Sequence, residues 1–440
     1  MQLHDQIPRT GTAHVALPAA AAAMAAALAL ALAIAMALML TGCGGGGSAD
    51  GAQSPSAGAT PVAVAEAEQA GTPVDPAIVA ADNAFGLRLL ETLLPASGGD
   101  NIAISPASAA LALQILYNGA AGSTQQAMAK TLELGALSVQ AINTDNAALQ
   151  ASLSNPDPRV QLSIANSLWI NQGDSPVLPS FTQTDETYYG ATVGDLAGAP
   201  DNVNAWVDKE THGLIPTLLP PGQYTDAIIA NVLYFKGLWT TEFDPSDTAA
   251  AIFTTSGGSR VSAELMHQTG PFAYTAGNLH GSNFQAVRIP YGQGRLTMLI
   301  VLPDAGANVA NFVAALSMDD VNALIAQLQS ATVSLALPRF TASYGTSLTP
   351  ALSSMGMAIA FGPSADFSAL APGFFVNVVE HNTVVEVDET GTVAAAATGI
   401  STVEVAGQQY TMTMDHPFFY AIQDDKTGEL LFIGVLMNPS

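Results

Sequence analysis

The stretch that most limits what this chain can become lies in its last fifth: Glu386-Val387-Asp388-Glu389-Thr390-Gly391-Thr392-Val393-Ala394-Ala395-Ala396-Ala397-Thr398-Gly399. Val384 to Asp388 reads as a strand with alternating faces, and it runs straight into small residues. No charge falls between Thr390 and Val403. Such a run is too bland to build a core and too apolar for a solvated loop, so the fold must give it another place. Alanine is abundant throughout the chain, and taken alone the run also fits a flexible linker.

Other segments give the run a context. Asn101-Ile102-Ala103-Ile104-Ser105-Pro106-Ala107-Ser108 comes first, followed by Ala165-Asn166-Ser167-Leu168-Trp169. Val203-Asn204-Ala205-Trp206-Val207 with Thr211-His212-Gly213-Leu214-Ile215 precedes Asn231-Val232-Leu233-Tyr234-Phe235-Lys236-Gly237-Leu238-Trp239. Leu335-Ala336-Leu337-Pro338-Arg339-Phe340, Met355-Gly356-Met357-Ala358 and Ala365-Asp366-Phe367-Ser368 come next. His416-Pro417-Phe418-Phe419 and Leu431-Phe432-Ile433-Gly434 with Asn438-Pro439 close the chain. Each resembles a signature of the serpin family, and they stand in the family's order.

The resemblance implies an α+β serpin fold, a helical cluster with three β-sheets and an exposed reactive-centre loop. It implies a serine protease inhibitor acting as a suicide substrate: the protease cuts the loop, which inserts as a new strand into the main sheet and drags the acylated protease along. The hinge of that loop falls on Glu389, Gly391, Thr392, Ala394, Ala395, Ala396 and Ala397. Inserted residues alternate faces, so Thr392, Ala394, Ala396, Thr398, Ile400 and Thr402 would be buried together, and none is charged. An unpaired charge among them would be costly to bury, so Thr392→Arg or Ala394→Glu is predicted to turn inhibitor into substrate. Gly391 supplies the permissive backbone where strand bends into loop.

Family spacing from Thr392 places the reactive bond at Val405-Ala406; counting back from Pro417 gives Ala406-Gly407, and Glu404 is a third choice. Small aliphatic residues suit an elastase-like or subtilisin-like protease more than a papain-like one. Ser105, Ser108, Asn231 and His381 match the family's polar shutter, and Trp239 its breach. Plain readings stay open for these: helix-capping serines, a satisfied core histidine, an ordinary core tryptophan. Thr390 and Val393 stand where many inhibitory relatives carry glutamate, and Asn382 where lysine is common. A non-inhibitory serpin, a binding or chaperone-like module, is the alternative; a surface lipoprotein with an unrecognised hydrolase site is another.

Enzyme chemistry has few candidates. None of Lys130, Lys209, Lys236 and Lys426 has a serine three residues before it, and there is no Gly-x-Ser-x-Gly elbow, His-Glu-x-x-His helix or phosphate loop. No cofactor or metal is expected. Eleven basic residues against 36 acidic give a net charge of −25, which repels phosphate backbones and excludes nucleic acid as a partner. A monomer is expected.

The N-terminus reads as an export signal. Val15 to Leu40 is apolar, and Leu40-Thr41-Gly42-Cys43 resembles a bacterial lipobox whose cysteine thiol carries the lipid. Residues 1–42 are expected to be the signal peptide, 43–75 a Gly/Ala/Ser/Pro tether reaching about 30 Å, and 76–440 the serpin domain. The domain would then sit outside the cytoplasm, anchored by lipid to the bacterial cell envelope. The apolar stretch is also long enough to remain as a membrane anchor. Cys43 is the only cysteine, so the mature domain has no disulfide.

Along the domain, Ile78 to Leu93 predicts a helix with Ile78, Phe85, Leu89 and Leu93 on one face. Ser105 and Pro106 open a helix to Tyr117, Thr124 caps a shorter one, and Asn202 to His212 forms another with Val203, Trp206 and Val207 inward. Strands are predicted at Asn101 to Ile104, Ile228 to Phe235, Ala286 to Ile289, Arg295 to Leu302, Thr332 to Leu337, Phe375 to Glu380, Val384 to Asp388, Phe418 to Ile422 and Leu430 to Leu436.

Overall fold

Asp75 accepts the Ala77 N–H and opens helix α1 (Pro76–Leu93), which leads through strand β1 (Ile102–Ile104) to Ser105. There the Ser108 N–H donates to Ser105 Oγ at 3.1 Å and Pro106 takes the first helical position of α2 (Pro106–Tyr117). All twelve residues of α2 are buried, as befits a helix with no polar face. The computed structural model describes residues 73–171, 173, 176–222, 227–392 and 409–440.

The other α-helices among those residues are α3 (Gly122–Thr131), α4 (Val139–Leu153), α5 (Pro179–Tyr188), α6 (Asp201–Glu210), α7 (Val309–Ala314), α8 (Met318–Gln327) and α9 (Thr349–Leu352). One expectation is corrected here. Thr124 does not cap α3: it lies inside the helix, where its hydroxyl accepts the Asp366 N–H at 2.8 Å, a tertiary partner that outcompetes the local one. Trp206 is half-buried and packs against the same core cluster as the fully buried Val203 and Val207, its ring edge-on to Trp169 at 6.4 Å.

The strands are β2 (Val160–Ile170), β3 (Thr192–Asp195), β4 (Ala227–Leu238), β5 (Ala249–Thr254), β6 (Arg260–Leu279), β7 (Ser282–Tyr291), β8 (Leu296–Pro303) and β9 (Gln329–Pro338). They continue with β10 (Phe340–Ser347), β11 (Val376–Val387), β12 (Gly391–Thr392), β13 (Gln409–Thr413), β14 (Phe418–Asp424) and β15 (Leu430–Leu436). Sheet one runs β1-β15-β14-β8-β7-β6-β9-β13 with β5 on β6; sheet two runs β10-β11-β12-β4-β2-β3. The described strands form two sheets where the resemblance implies three, because β6, 20 residues long, pairs with β5, β9 and β7 in turn and joins them in one sheet. The two strands expected at Phe375–Glu380 and Val384–Asp388 are one, since His381, Asn382 and Thr383 between them bond in the ladder.

The sheets face each other across a core that includes Leu233, Phe235, Val385 and Val387 from sheet two and Val287, Ile289 and Met298 from sheet one. Helix α6 covers the other face of sheet two with Val203 and Val207 on Ile228, Ala230 and Val232. Strand β4 is thus buried on both faces, which is why its sequence is an almost unbroken apolar run.

Candidate functional site

Strands β11 and β4 are parallel neighbours, with Val376 to Thr383 paired to Ala227 to Leu233. Beyond Thr383 they part, and β12 lies between them, antiparallel to both. Gly391 faces Leu238, and Thr392 faces Gly237 on one side and Val387 on the other. Thr392 is the last described residue of sheet two, and the next described residue, Gln409, begins β13 in sheet one.

A tight set of bonds holds this wedge. Asp388 Oδ1 accepts from the Thr390 N–H (2.9 Å), the Thr390 hydroxyl (2.7 Å) and the Gly391 N–H (3.1 Å), a side chain closing its own turn. Gly391 has φ +151°, and a Cβ there would collide with the Gly237 carbonyl and sit 2.7 Å from Leu238 Cα, so only glycine fits. Thr392 is fully buried, its hydroxyl 2.9 Å from Tyr291 Oη. Tyr291 in turn stacks on Trp239, with centroids 4.3 Å apart and planes 14° off parallel. Trp239 donates its indole N–H to the Asp388 carbonyl at 2.9 Å and its backbone N–H to Thr390 at 2.8 Å. Glu389 accepts Arg339 Nε at 2.7 and 2.8 Å and also the Thr248 hydroxyl. Burial alone would raise the Glu389 carboxyl, but the bonds from Arg339 and Thr248 outweigh it and hold it below its ordinary value.

A second cluster sits further along the same pair of strands. His381 on β11 and Asn231 on β4 are register partners, and His381 Nδ1 lies 2.8 Å from Asn231 Oδ1. The Ser105 N–H donates to His381 Nε2 at 3.1 Å, so Nδ1 carries the proton and donates to Asn231. The Asn231 amide donates to the Ser108 carbonyl (2.7 Å), Ser108 Oγ (2.6 Å) and Asn166 Oδ1 on β2 (2.5 Å). Burial pushes His381 down to about 4, so it is neutral at physiological pH. The cluster ties β11, β4 and β2 to the first turn of α2.

The structure therefore brings Glu389, Gly391, Thr392 and Trp239 together at one end of the β11–β4 seam, and Ser105, Ser108, Asn231 and His381 further along it. Ala394, Ala395, Ala396, Ala397, Val405, Ala406 and Cys43 lie outside the described residues. Sequence reasoning missed Asn166, Arg339, Asp388, Thr248 and Tyr291 as site residues. Asn166 and Arg339 lie inside motifs already singled out, and Asp388 two residues before Thr390 fits a side-chain turn; Thr248 and Tyr291 carry no local signal.

Residues 80–439 match a family model described as serpin, serine protease inhibitor. The chain belongs to the serpin family. This serpin is 32% identical to Serpin-Z2A of Triticum aestivum over 82% of its own length and 96% of the relative's. It is 30% identical to leukocyte elastase inhibitor A of Rattus norvegicus over 82% and 98% of the two chains. Among solved structures, the thermophilic serpin tengpin in its native state matches with a TM-score of 0.77 at 28% identity, covering 83% of this chain and 95% of tengpin. Serpins are typically protease inhibitors and generally not enzymes.

Proposed function

We propose that this serpin inhibits a serine protease as a suicide substrate, with its cleaved loop drawn into sheet two between β4 and β11. The observation that carries the reading is the wedge: two parallel strands parted at one end, with β12 antiparallel to both in the gap. Continuing the β12 register sets Ala394 beside Phe235 and Val385, Ala396 beside Leu233 and Thr383, and Thr398 beside Asn231 and His381. Counted from β4 or from β11 the lane has the same register, and the direct pairing of Asn231 with His381 agrees with both. A strand filling it would replace one parallel ladder by two antiparallel ones, which are slightly more stable per residue, at roughly 0.5–1.5 kcal/mol net per bond.

The hinge is assigned to Glu389, Gly391, Thr392 and Ala394 to Ala397, and the reactive bond to Val405-Ala406. Small aliphatic residues there favour an elastase-like or subtilisin-like target, and the similarity to leukocyte elastase inhibitor A supports the first. The signal-like segment and Cys43 support an exported domain tethered to the cell envelope by lipid. Incubation with elastase and with subtilisin tests the reading: an SDS-resistant adduct is expected, and mass spectrometry of the released peptide should place the cut after Val405. Nicking without adduct would leave a non-inhibitory serpin, and hydrolysis of ester or peptide probes by the chain alone would indicate an enzyme.

A further inference from the structure

Helix α1 meets the β14–β15 turn through acidic residues that the inhibitory cycle does not use. Asn83 donates to the Gly428 carbonyl at 2.9 Å and accepts the Leu430 N–H at 2.9 Å, so its amide brackets Glu429. Glu429 is 0% exposed and the neighbouring Asp82 1%. Both carboxyl oxygens of Glu429 are buried without a hydrogen-bond partner. Asp82 accepts the Gln114 amide of α2 at 2.6 Å, and Gln114 Oε1 is engaged by Asn146 of α4 at 2.6 Å.

The surrounding charges do not relieve the pair. Asp424 is held by Arg295 at 2.7 and 3.1 Å and by the Thr427 hydroxyl at 2.8 Å. Asp425 is bonded by Arg288 and Thr297, and Lys426 reaches Ser152 at 3.3 Å. Helices α2 and α4 contribute the neutral Gln114 and Asn146, and the Tyr189 phenol that accepts from Asn146 at 3.4 Å is kept neutral by burial. An ionised Glu429 would be a buried charge with no partner beside a second carboxylate, an arrangement far costlier than the neutral acid.

We propose that Asp82 and Glu429 form a proton-held latch between helix α1 and the β14–β15 turn, closed while the pair keeps its protons and loosened when alkaline medium removes them. Burial pushes Asp82 up to about 8 and Glu429 well above its ordinary value, with Asp82 and Asp424 adding to the latter. The unfolded chain gives up these protons near pH 4. Stability from the latch is therefore full below that value and is lost as the pH climbs through about 8. The latch bears on the β11–β4 seam because Gln114 shares α2 with Ser105 and Ser108, which hold His381 and Asn231. It stands on the junction's own geometry, whether or not the chain inhibits a protease.

The test is urea unfolding of the full chain between about pH 6 and 9, with infrared detection of protonated carboxyl groups. The unfolding constant should rise by up to about tenfold per pH unit for each excess proton. Glu429→Gln should flatten that slope, and a protonated-acid carbonyl band seen at neutral pH should be lost in it. Asp185 on α5, pushed up to about 7 by burial, has its own contribution, so Asp185→Asn should leave the Glu429-dependent part of slope and band in place. Equal slopes in wild type and Glu429→Gln, with no band assignable to Glu429, would overturn the latch. Should Glu429→Gln not fold, the wild-type band in the Asp185→Asn background decides alone: present at neutral pH and weakening as the pH climbs through about 8 supports the latch, while absence at neutral pH or no change across that range refutes it.

Discussion

Ala394→Glu probes the proposed lane most directly. Continuing from Thr392, residue 394 of an inserted strand lies between Phe235 and Val385, which are 2% and 0% exposed and face sheet one. A glutamate must enter that layer protonated or as a buried unpaired charge. Protonating it at pH 7 from an ordinary pKa of about 4.3 costs about 4 kcal/mol, and its bulk in a packed layer adds roughly 1–3 kcal/mol. If half of the first figure reaches the insertion barrier, insertion slows about 30-fold, and deacylation wins. The assay is the stoichiometry of inhibition, with adduct yield on denaturing gels, against a protease that wild type traps.

Two controls separate this cause from general damage. At about pH 5 the protonation cost falls to about 1 kcal/mol, so part of the adduct should return. Ala395→Glu turns to the opposite face, beside Tyr234 and the half-buried Val384 and away from the core between the sheets, and should keep more of the adduct than Ala394→Glu. Full adduct yield from Ala394→Glu at pH 7 would refute the lane and its register.

Three other outcomes are expected. His381 is neutral in the native form down to about pH 4, while the unfolded chain takes up its proton near pH 6.5; its contribution is full above that value and declines by about 3 kcal/mol as pH falls to about 4. Urea midpoints of wild type and His381→Gln should therefore converge on acidification, and parallel profiles would contradict it. Arg339→Ala leaves Glu389 buried without its cation and with only the Thr248 hydroxyl as a side-chain donor; because the Arg339 side chain is itself 45% exposed, the expected loss is about 2 kcal/mol, read as a lower melting temperature. Gly391→Ala forces a side chain onto the Gly237 carbonyl at positive φ, and a loss of at least about 1–3 kcal/mol is expected, with an unchanged melting temperature the contrary result.

Local chemistry was legible wherever one turn decided the outcome. Ser105 and Pro106 announce α2, and the apolar runs of β14 and β15 announce buried strands. Strand β6 was hidden because Gly270, Pro271 and Gly277 lie within it and read as turns, although its ladder with β9 runs straight through Gly270 and Pro271. Helix α8 was missed because its capping box closes with Asp320 in place of the usual Glu or Gln. The Tyr291–Thr392 contact joins residues 101 positions apart, beyond any periodicity. Asp82 is the instructive case: it falls between Ile78 and Phe85 on the apolar face of α1, so helical spacing alone buries it. What no spacing supplies is Glu429, which only the return of β15 beside α1 brings near.

The two clusters on the β11–β4 seam constrain each other through that register. A strand advancing from Thr392 first passes Thr383, whose hydroxyl is already committed to the Ala103 carbonyl at 2.6 Å, and then must separate His381 from Asn231, each of which would lose a buried partner at a cost of about 1–3 kcal/mol. The residue that reaches this point is Thr398, whose hydroxyl can accept from His381 Nδ1 while donating to Asn231 Oδ1. An exchange of partners then stands where a barrier would otherwise be, and an aliphatic residue at 398 would restore that barrier. The uncharged run that makes this chain unusual is therefore not uniformly bland in effect: alanine suits the apolar layers beside Phe235 and Leu233, and threonine falls where the seam is polar.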